Sequence, residues 1–427
     1  MPQTALKSKA EVANQRNAVL AGFLGWTLDA FDFFVLTFVI NDVARSFGKT
    51  RPDIALTITL ALAMRPLGAI IFGIMADHWG RRLPLMLNVT FYAIISVLSG
   101  LAPTYGTFLL LRMLFGVAMG GEWGVGASLA LESVSPKWRG LFSGLLQEGY
   151  AMGNLLAALA FRVVYPYAIH VSPTDGWRVM FFIGGLPALL SLFIRSKVKE
   201  PEAWHENKTD WTTYRRSLLQ NWKRFLYLVA LLAMMNFISH GTQDMYPTFL
   251  QRQRLFSPEQ TANITMISMF GAVLGGLAFG YYSDRGGRRK AMIISVVCAL
   301  AMVPVWIAAP STWLIVLGVF LMQFFVQGAW GVVPAHINEL SPGHLRGFFP
   351  GFAYQLGVLC ASSITYFEAV LGEHFTYAQS MGVLAAAVMI GGTIVIALGP
   401  EAHGVAFGKK GAGGTGERGK GGNGVTG

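Results

Sequence analysis

One segment of this chain carries a row of polar side chains inside an apolar stretch. Asn236, Ser239, His240, Gln243 and Asp244 stand at positions i, i+3, i+4, i+7 and i+8, a spacing that places them on one face of an α-helix. Hydrogen-bond donors, an imidazole and a carboxylate can together bind a small acid and exchange a proton with it. Such groups also form hydrogen bonds between helices, but one or two suffice for that purpose. The row therefore favours a binding site.

Charged residues also stand inside two other apolar stretches. Asp29 and Asp32 are three residues apart in the first, and Arg112 and Glu122 share the fourth. Counted at 1.5 Å per residue from the same side, Asp32 and Arg112 both reach a depth of roughly 10–12 Å, so we predict an ion pair. That pair could be a static structural contact, or Asp32 could gain and lose a proton as Arg112 changes partners. Gln355 either lines the same site or is satisfied in the interior.

Part of the sequence occurs twice. Gly-x-x-x-Asp-x-x-Gly-Arg-Arg stands at 73–82 and again at 280–289, and two further groups of residues recur at the same offset of 207 positions. Three matched pairs at one offset indicate two homologous halves, as in alternating-access carriers. The repeated charges lie at the ends of apolar stretches, where we expect them to form contacts that gate one side of the protein: Asp77, Arg81, Glu132, Arg139, Asp284, Arg288, Glu339 and Arg346.

Long apolar stretches must position all of these residues. The chain has 427 residues, of which 53% are hydrophobic and 13% charged, more apolar surface than a soluble protein of this length could bury. Twelve stretches are long enough to cross a ~30 Å hydrocarbon core as helices. They are 19–40, 54–76, 83–101, 105–131, 141–165, 177–196, 222–247, 262–282, 290–309, 312–337, 348–371 and 378–398.

The predicted fold class is an all-α membrane protein with twelve transmembrane helices in two pseudo-symmetric six-helix bundles. The bundles comprise 19–196 and 222–398, and a polar linker, 197–221, joins them. A polar segment, 1–18, precedes the first bundle, and a Gly-rich tail, 399–427, follows the second. The composition of the tail is typical of flexible, disordered chain, and we assign it no function.

The distribution of basic residues predicts the orientation. With both termini inside, the inner loops and tails hold 24 of the 33 lysines and arginines, and the outer loops hold five. We attribute the net charge of +11 to this topology and to attraction for anionic lipid, and not to nucleic-acid binding. No cleavable signal peptide is expected, because residues 1–18 are polar. Cys298 and Cys360 lie in predicted helices, which makes a disulfide or a metal cluster unexpected.

These features resemble a known family over about residues 15–400. The repeated motif resembles the signature of the major facilitator superfamily. Asp29-Ala-Phe-Asp32 is similar to the Asp-Gly-[Phe/Tyr]-Asp motif of organic-acid proton symporters, with Ala30 in place of Gly. Residues 236–248 satisfy the pattern Asn-x-x-[Ser/Thr]-His-x-[Ser/Thr]-Gln-Asp-x-x-x-Thr of lactate/pyruvate permeases in the sialate:proton symporter family. The resemblance implies roles in carboxylate binding and transport for Asn236, His240 and Asp244.

The expected function is proton-coupled symport of small monocarboxylates, such as lactate and pyruvate, by rocking of the two halves. The expected substrate-binding residues are Arg112, Asn236, His240, Gln243, Asp244 and Gln355. The expected carriers of the proton, among which the sequence does not decide, are Asp29, Asp32, Glu122, His240 and Asp244. We expect no metal and no cofactor beyond the proton. The expected partners are a small carboxylate and the bilayer of the inner, or plasma, membrane, without nucleic acid, and a monomer suffices.

Three alternatives differ in how well the sequence supports them. A sialic-acid symporter of the same family is the nearest, because residues 112–124 are similar to helix four of sialic-acid permeases. A non-transporting receptor on a carrier scaffold is less favoured, since such receptors typically carry long cytoplasmic extensions. An enzyme is not expected, because the sequence presents no nucleophile–base pair, metal-ligand cluster or phosphate loop.

Overall fold

The computed structural model describes residues 9–208, 210–362 and 375–407, and all regular elements in those ranges are helical. The helices of the first half are α1 (Lys9–Ser46), α2 (Arg51–Trp79), α3 (Arg82–Leu101), α4 (Tyr105–Ser133), α5 (Arg139–Gln147), α6 (Gly149–Val163), α7 (Tyr165–Val171), α8 (Trp177–Ile183) and α9 (Ala188–Lys197). Between the halves lie α10 (Glu202–Asn207) and α11 (Trp211–Gln220). The helices of the second half are α12 (Trp222–Gln243), α13 (Tyr246–Arg252), α14 (Pro258–Gly286), α15 (Arg288–Ala308), α16 (Thr312–Leu340), α17 (Phe349–Ala361) and α18 (Tyr377–Leu398).

The predicted all-α membrane architecture is confirmed. Ten helical stretches within the described ranges are long and apolar enough to cross a membrane, and the bent run from Pro136 to Val171 raises that number to eleven. The predicted span 348–371 is described only as far as residue 362, and its remainder lies outside the described residues. Large apolar side chains such as Leu155 and Leu189 are about 60% exposed on the outer surface, as expected where lipid is the solvent.

Three predicted spans are not continuous helices. The span 141–165 lies in a run of helices that bends by 41° between α6 and α7. The span 177–196 is interrupted at residues 184–187, where Gly184, Gly185 and Pro187 weaken helix formation. The span 222–247 breaks at residues 244–245, just before Pro247 opens α13.

The polar segments also contain more helix than their composition predicts. Helix α1 already begins at Lys9 within the segment 1–18, while residues 1–8 lie outside the described part. The linker 197–221 forms α10 and α11, and Asp210 caps α11 by accepting hydrogen bonds from the backbone of Thr212 and Thr213 at 3.0 and 3.2 Å.

Helix packing reproduces the twofold repeat of the sequence. An offset of 207 residues carries α2 onto α14, α4 onto α16 and α5 onto α17. Accordingly, α2 packs closely on α4 as α14 packs on α16, and between the halves α2 contacts α17 as α14 contacts α5. The contact of α4 with α17 is likewise matched by that of α16 with α5. Two similar bundles therefore meet through equivalent helices.

Equivalent glycines allow the tightest of these contacts. A Cβ atom on Gly68 of α2 would lie 1.7 Å from the carbonyl oxygen of Val117, and one on Gly275 of α14 would lie 1.8 Å from that of Phe324. Gly80 and Gly287, at the ends of α2 and α14, have φ angles of 98° and 92°, a region that side chains disfavour. The repeated glycines are thus needed for close packing and for the turn after each helix.

Candidate functional site

Asp77 joins the two halves at the end of the bundle that carries the repeated motif, which we call the motif end. Its carboxylate accepts hydrogen bonds from the backbone N–H groups of Gly347 (2.6 Å) and Phe348 (3.1 Å), just before α17. Arg81 of its own half pairs with the same carboxylate at 2.6 Å. The first N–H groups of a helix lack partners within the helix and favour an anion. Asp77 therefore caps a helix of the opposite half.

Asp284 makes the equivalent contacts in the other direction. It accepts hydrogen bonds from the backbone of Gly140 (2.7 Å) and Leu141 (3.0 Å) at the start of α5. Arg288 pairs with it at 2.8 Å. Each half thus supplies a buried carboxylate that holds the beginning of a helix in its counterpart.

Two glutamates complete the network at the motif end. Glu132 lies 3.0 Å from Arg81 of its own half and 3.6 Å from Arg346 of the other. Glu339 likewise lies 2.9 Å from Arg288 and, across the interface, 2.8 Å from Arg139. The structure therefore brings all eight expected gating residues together in two symmetric sets, which we call the motif-end network: Asp77, Arg81, Glu132 and Arg346 with Asp284, Arg288, Glu339 and Arg139.

Glycines bring the backbones of the halves together beside this network. A Cβ atom on Gly144 of α5 would lie 2.4 Å from the carbonyl oxygen of Gly276 in α14. A Cβ atom on Gly124 would lie 2.6 Å from the Cα atom of Gly351. Side chains at these positions would separate the helices, so the glycines permit the halves to close at the motif end.

The first residues of the tail pack on the motif-end network. The ring of Phe407 lies 3.6 Å from the guanidinium carbon of Arg139 and 3.8 Å from that of Arg346, and Arg139 donates a hydrogen bond to the carbonyl oxygen of Val405 at 2.8 Å. This differs from the flexible tail expected from its composition, while residues 408–427 lie outside the described part. The signal for this contact in the sequence is Phe407, a single aromatic residue in a Gly- and Lys-rich segment.

The polar row on α12 divides into three environments. His240 and Asp244 form a pair at 3.2 Å, with side chains 45% and 38% exposed. Ser239 accepts a hydrogen bond from Gln327 of α16 at 3.2 Å, and Gln243 donates one to Gln323 of the same helix at 2.8 Å. Asn236 is buried and donates to the carbonyl oxygen of Leu232 within its own helix. The row is therefore partly an interhelical contact, and His240 with Asp244 is its accessible part.

Arg112 is enclosed by side chains of its own half, which is not expected of a substrate ligand. Its Nη2 lies 3.9 Å from Asp32, as the matched depths predict, and donates to Ser99 Oγ at 2.9 Å. Asp32 also accepts a hydrogen bond from the Ser96 hydroxyl. The arginine is 2% exposed, and three rings of its own half lie 4.5–5.9 Å away, those of Phe108, Phe115 and Phe181. This enclosure favours a structural ion pair over the expected contact with the substrate.

Other polar residues meet near the middle of the protein. Asp29 and Glu122 are fully buried, and neither carboxyl group has a hydrogen-bond partner among the described residues. Gln355 of α17 donates to the carbonyl oxygen of Gly120 at 3.3 Å. This contact crosses between the halves and leaves the side-chain oxygen of Gln355 without a partner.

An aromatic layer lies between the halves at the same level. The rings of Trp123 and Tyr354 stack with centroids 4.3 Å apart, and Trp330 meets Tyr354 edge-on at 6.1 Å. The guanidinium of Arg65 in α2 lies 5.7 Å from the centre of the Tyr354 ring. Arg65 was not among the expected substrate-binding or proton-coupling residues, although an arginine in the middle of an apolar span is a signal for function.

Comparisons with known proteins agree with this architecture. The family model described as Major Facilitator Superfamily matches residues 22–255, and that described as Sugar (and other) transporter matches residues 216–401. A Saccharomyces cerevisiae carboxylic acid transporter protein homolog is 28% identical over 88% of this chain and 66% of that protein. A probable 4-methylmuconolactone transporter of Cupriavidus pinatubonensis is 30% identical over 93% of this chain and 94% of that protein.

A third relative and a solved structure complete the comparison. The sialic acid transporter NanX of Escherichia coli is 29% identical over 80% of this chain and 84% of that protein. The structure of the proton:xylose symporter XylE superposes with a TM-score of 0.71 at 17% identity, covering 92% of this chain and 98% of the other. These proteins are transporters and not enzymes. With one family model covering more than half of the chain and a 30% identical relative spanning nearly all of it, this protein belongs to the Major Facilitator Superfamily.

Proposed function

We propose that this transporter is a proton-coupled symporter of small monocarboxylates, such as lactate and pyruvate, in the inner membrane. The observation that carries the proposal is the His240–Asp244 pair, which stands in a lactate/pyruvate permease pattern and remains exposed while the motif end is closed. The imidazole of His240 can donate a hydrogen bond to the carboxylate of an acid that enters the site.

Alternating access follows from the motif-end network. We propose from the basic residues of the linker and tail that the motif end, together with both termini, faces the cytoplasm. The structure is then the state closed to the cytoplasm, held by helix caps and ion pairs between the halves. Breaking these contacts opens the cytoplasmic side, and re-forming them returns the carrier to its outward-facing state. The contacts of Phe407 with Arg139 and Arg346 further stabilise the closed state.

The relatives support an organic acid as substrate. Their names include a carboxylic acid, a methylmuconolactone, sialic acid and niacin. Sialic acid is the second candidate, favoured by the 29% identity with NanX. We prefer the smaller acids because the polar pattern of residues 236–248 is that of the lactate/pyruvate permeases.

A competition experiment separates the candidates. Uptake of radiolabelled L-lactate into proteoliposomes, measured at about pH 6 and about pH 8, is expected to be faster at the lower pH on the uptake side. Excess unlabelled pyruvate should suppress uptake at least ~10-fold, whereas xylose should leave it unchanged. Labelled sialic acid that is transported without competition from lactate or pyruvate would contradict the lactate/pyruvate assignment and favour the second candidate.

A further inference from the structure

Arg65 is an unusual buried cation in this protein. The described residues include six buried arginines: Arg65, Arg81, Arg112, Arg139, Arg288 and Arg346. Five of them lie within 4.0 Å of a carboxylate, and none of the ion pairs found among the described residues involves Arg65. Its Nε and Nη2 also lack hydrogen-bond partners. An unpaired charge far from water is costly. This guanidinium therefore requires a negatively charged partner that the described residues do not supply within ion-pair distance.

The position of Arg65 directs it toward the interface between the halves. It is the central residue of α2, with fourteen helical residues on either side, and it is 4% exposed. Its guanidinium faces the ring of Tyr354 in the opposite half at 5.7 Å, and it also acts electrostatically on Tyr150 and Asp29. A cation at mid-membrane depth between the halves stands where carriers hold their substrates.

Asp29 is a carboxylate of the first half on which Arg65 acts electrostatically. Its carboxyl group is fully buried without a hydrogen-bond partner, and Arg65 is the cation that acts on it most strongly. Ionisable groups from the surrounding helices also interact with Asp29: Asp32, Tyr92, Glu122, Tyr150 and Tyr354. Arg65 is the positively charged member of this set, so the state of Asp29 depends on whether Arg65 has another anion.

We infer that Arg65 binds the carboxylate of the substrate between the halves, and that Asp29 must take up a proton before this carboxylate can replace it as the counterion. The inference rests on the proposed function and assigns the residues of its central step. In the empty site, Asp29 and Arg65 carry opposite charges. In the loaded site, the substrate supplies the negative charge and Asp29 is neutral. Both states have the same net charge, so one proton accompanies one monocarboxylate.

This arrangement gives different tasks to the two buried arginines of the first half. A guanidinium binds a carboxylate through two parallel hydrogen bonds, and Arg65 has two nitrogens free to donate. Arg112 already donates to Ser99, has Asp32 beside it and is enclosed by aromatic rings. We therefore assign substrate recognition to Arg65, and to Arg112 the support of Asp32.

Binding to the purified protein tests the inference. The probes are L-lactate and the neutral lactamide, and the readout is ligand-induced stabilisation against thermal unfolding in detergent, which reports binding without transport. The wild-type protein should bind lactate and discriminate against lactamide. Arg65→Ala should weaken lactate binding at least ~10-fold and abolish the discrimination, while Arg112→Ala should retain both. Arg65→Lys, which keeps the charge without the two-pronged geometry, should fall between wild type and Arg65→Ala and shows that the site still folds.

The pH dependence tests the role of Asp29. Lactate binding to the wild type should weaken as the pH rises, because Asp29 must be protonated for binding. Asp29→Asn, which mimics the protonated carboxyl group, should bind lactate with little dependence on pH. Glu148→Gln is the matched control, since it also removes a buried carboxyl group but one outside the set that interacts with Asp29, and it should keep the pH dependence of the wild type.

The possible results separate this inference from the proposed function. Equal lactate binding by wild type and Arg65→Ala would overturn the inference and leave the substrate assignment standing. Sialic acid binding that depends on Arg65, without lactate binding, would contradict the lactate/pyruvate assignment but support Arg65 as the carboxylate ligand. If the wild type binds neither acid, both proposals are wrong.

Discussion

Asp77→Ala is expected to slow transport by at least ~10-fold while leaving substrate binding nearly unchanged. The substitution removes the acceptor of the Gly347 and Phe348 N–H groups and one counterion of Arg81. Hydrogen bonds to charged groups each contribute about 1.5–3 kcal/mol, so losing them disfavours the closed motif end by one order of magnitude or more. Because the carrier must close this end in every cycle, turnover falls. Substrate binding is retained because Asp77 lies at the motif end and not in the central site.

Spin labels on α5 and α14 at the motif end measure the shift directly. Their separation should increase in Asp77→Ala and, by symmetry, in Asp284→Ala. Phe407→Ala should give a smaller increase, since a cation–π contact contributes about 0.5–2 kcal/mol. Asp175→Ala is the control, because it removes a partly exposed ion pair with Arg178 away from the motif-end network. Loss of binding in Asp77→Ala, or an unchanged label separation, would contradict the gating assignment.

Gly144→Ala is expected to prevent closure of the motif end without altering any charge. The added Cβ atom would lie 2.4 Å from the carbonyl oxygen of Gly276 and 2.9 Å from its carbonyl carbon. Backbone atoms cannot rotate away, so α5 and α14 must separate, and overpacking of this kind typically costs about 1–3 kcal/mol. The population should shift toward the state open at the motif end, and transport should fall by roughly 10-fold or more.

Gly391→Ala is the matched control for this substitution. It also adds one methyl group to a glycine inside a transmembrane helix, but its Cβ atom would meet only the flexible side chain of Met234, at 3.6 Å. Label separation and transport should match those of the wild type. If both alanine variants transport equally well, close backbone contact between Gly144 and Gly276 is not required in the cycle.

The repeat was the most informative feature of the sequence. Because Asp77 and Asp284 recur with identical spacing beside helix ends, their common environment could be predicted, and the structure places both against helix starts of the opposite half. The Asp32–Arg112 contact was also predictable, since counting residues along two helices gives their depth. Depth does not reveal which way a side chain points. The enclosure of Arg112 by rings therefore could not be foreseen.

The sequence pattern of the polar row on α12 does not show which neighbouring helix the row contacts, and that helix decides which of its side chains stay accessible. Ser239 and Gln243 meet Gln327 and Gln323 only because α16 packs beside α12. The central position of Arg65 depends in the same way on Tyr354, which lies 289 residues later in the chain and reaches it through the packing of α17 on α2. Contacts between distant helices are set by tertiary packing, whereas periodicity describes one helix at a time.

Transport energetics test the central claim most directly. The purified protein in liposomes would be given either a pH difference without a membrane potential, or a potassium diffusion potential of about 100 mV without a pH difference. One-to-one symport of a proton with a monoanion moves no net charge. Lactate accumulation should therefore follow the pH difference, at about 1.4 kcal/mol per pH unit, and ignore a potential worth about 2.3 kcal/mol per charge. Accumulation that follows the potential alone, and is indifferent to the pH difference, would contradict proton-coupled monocarboxylate symport.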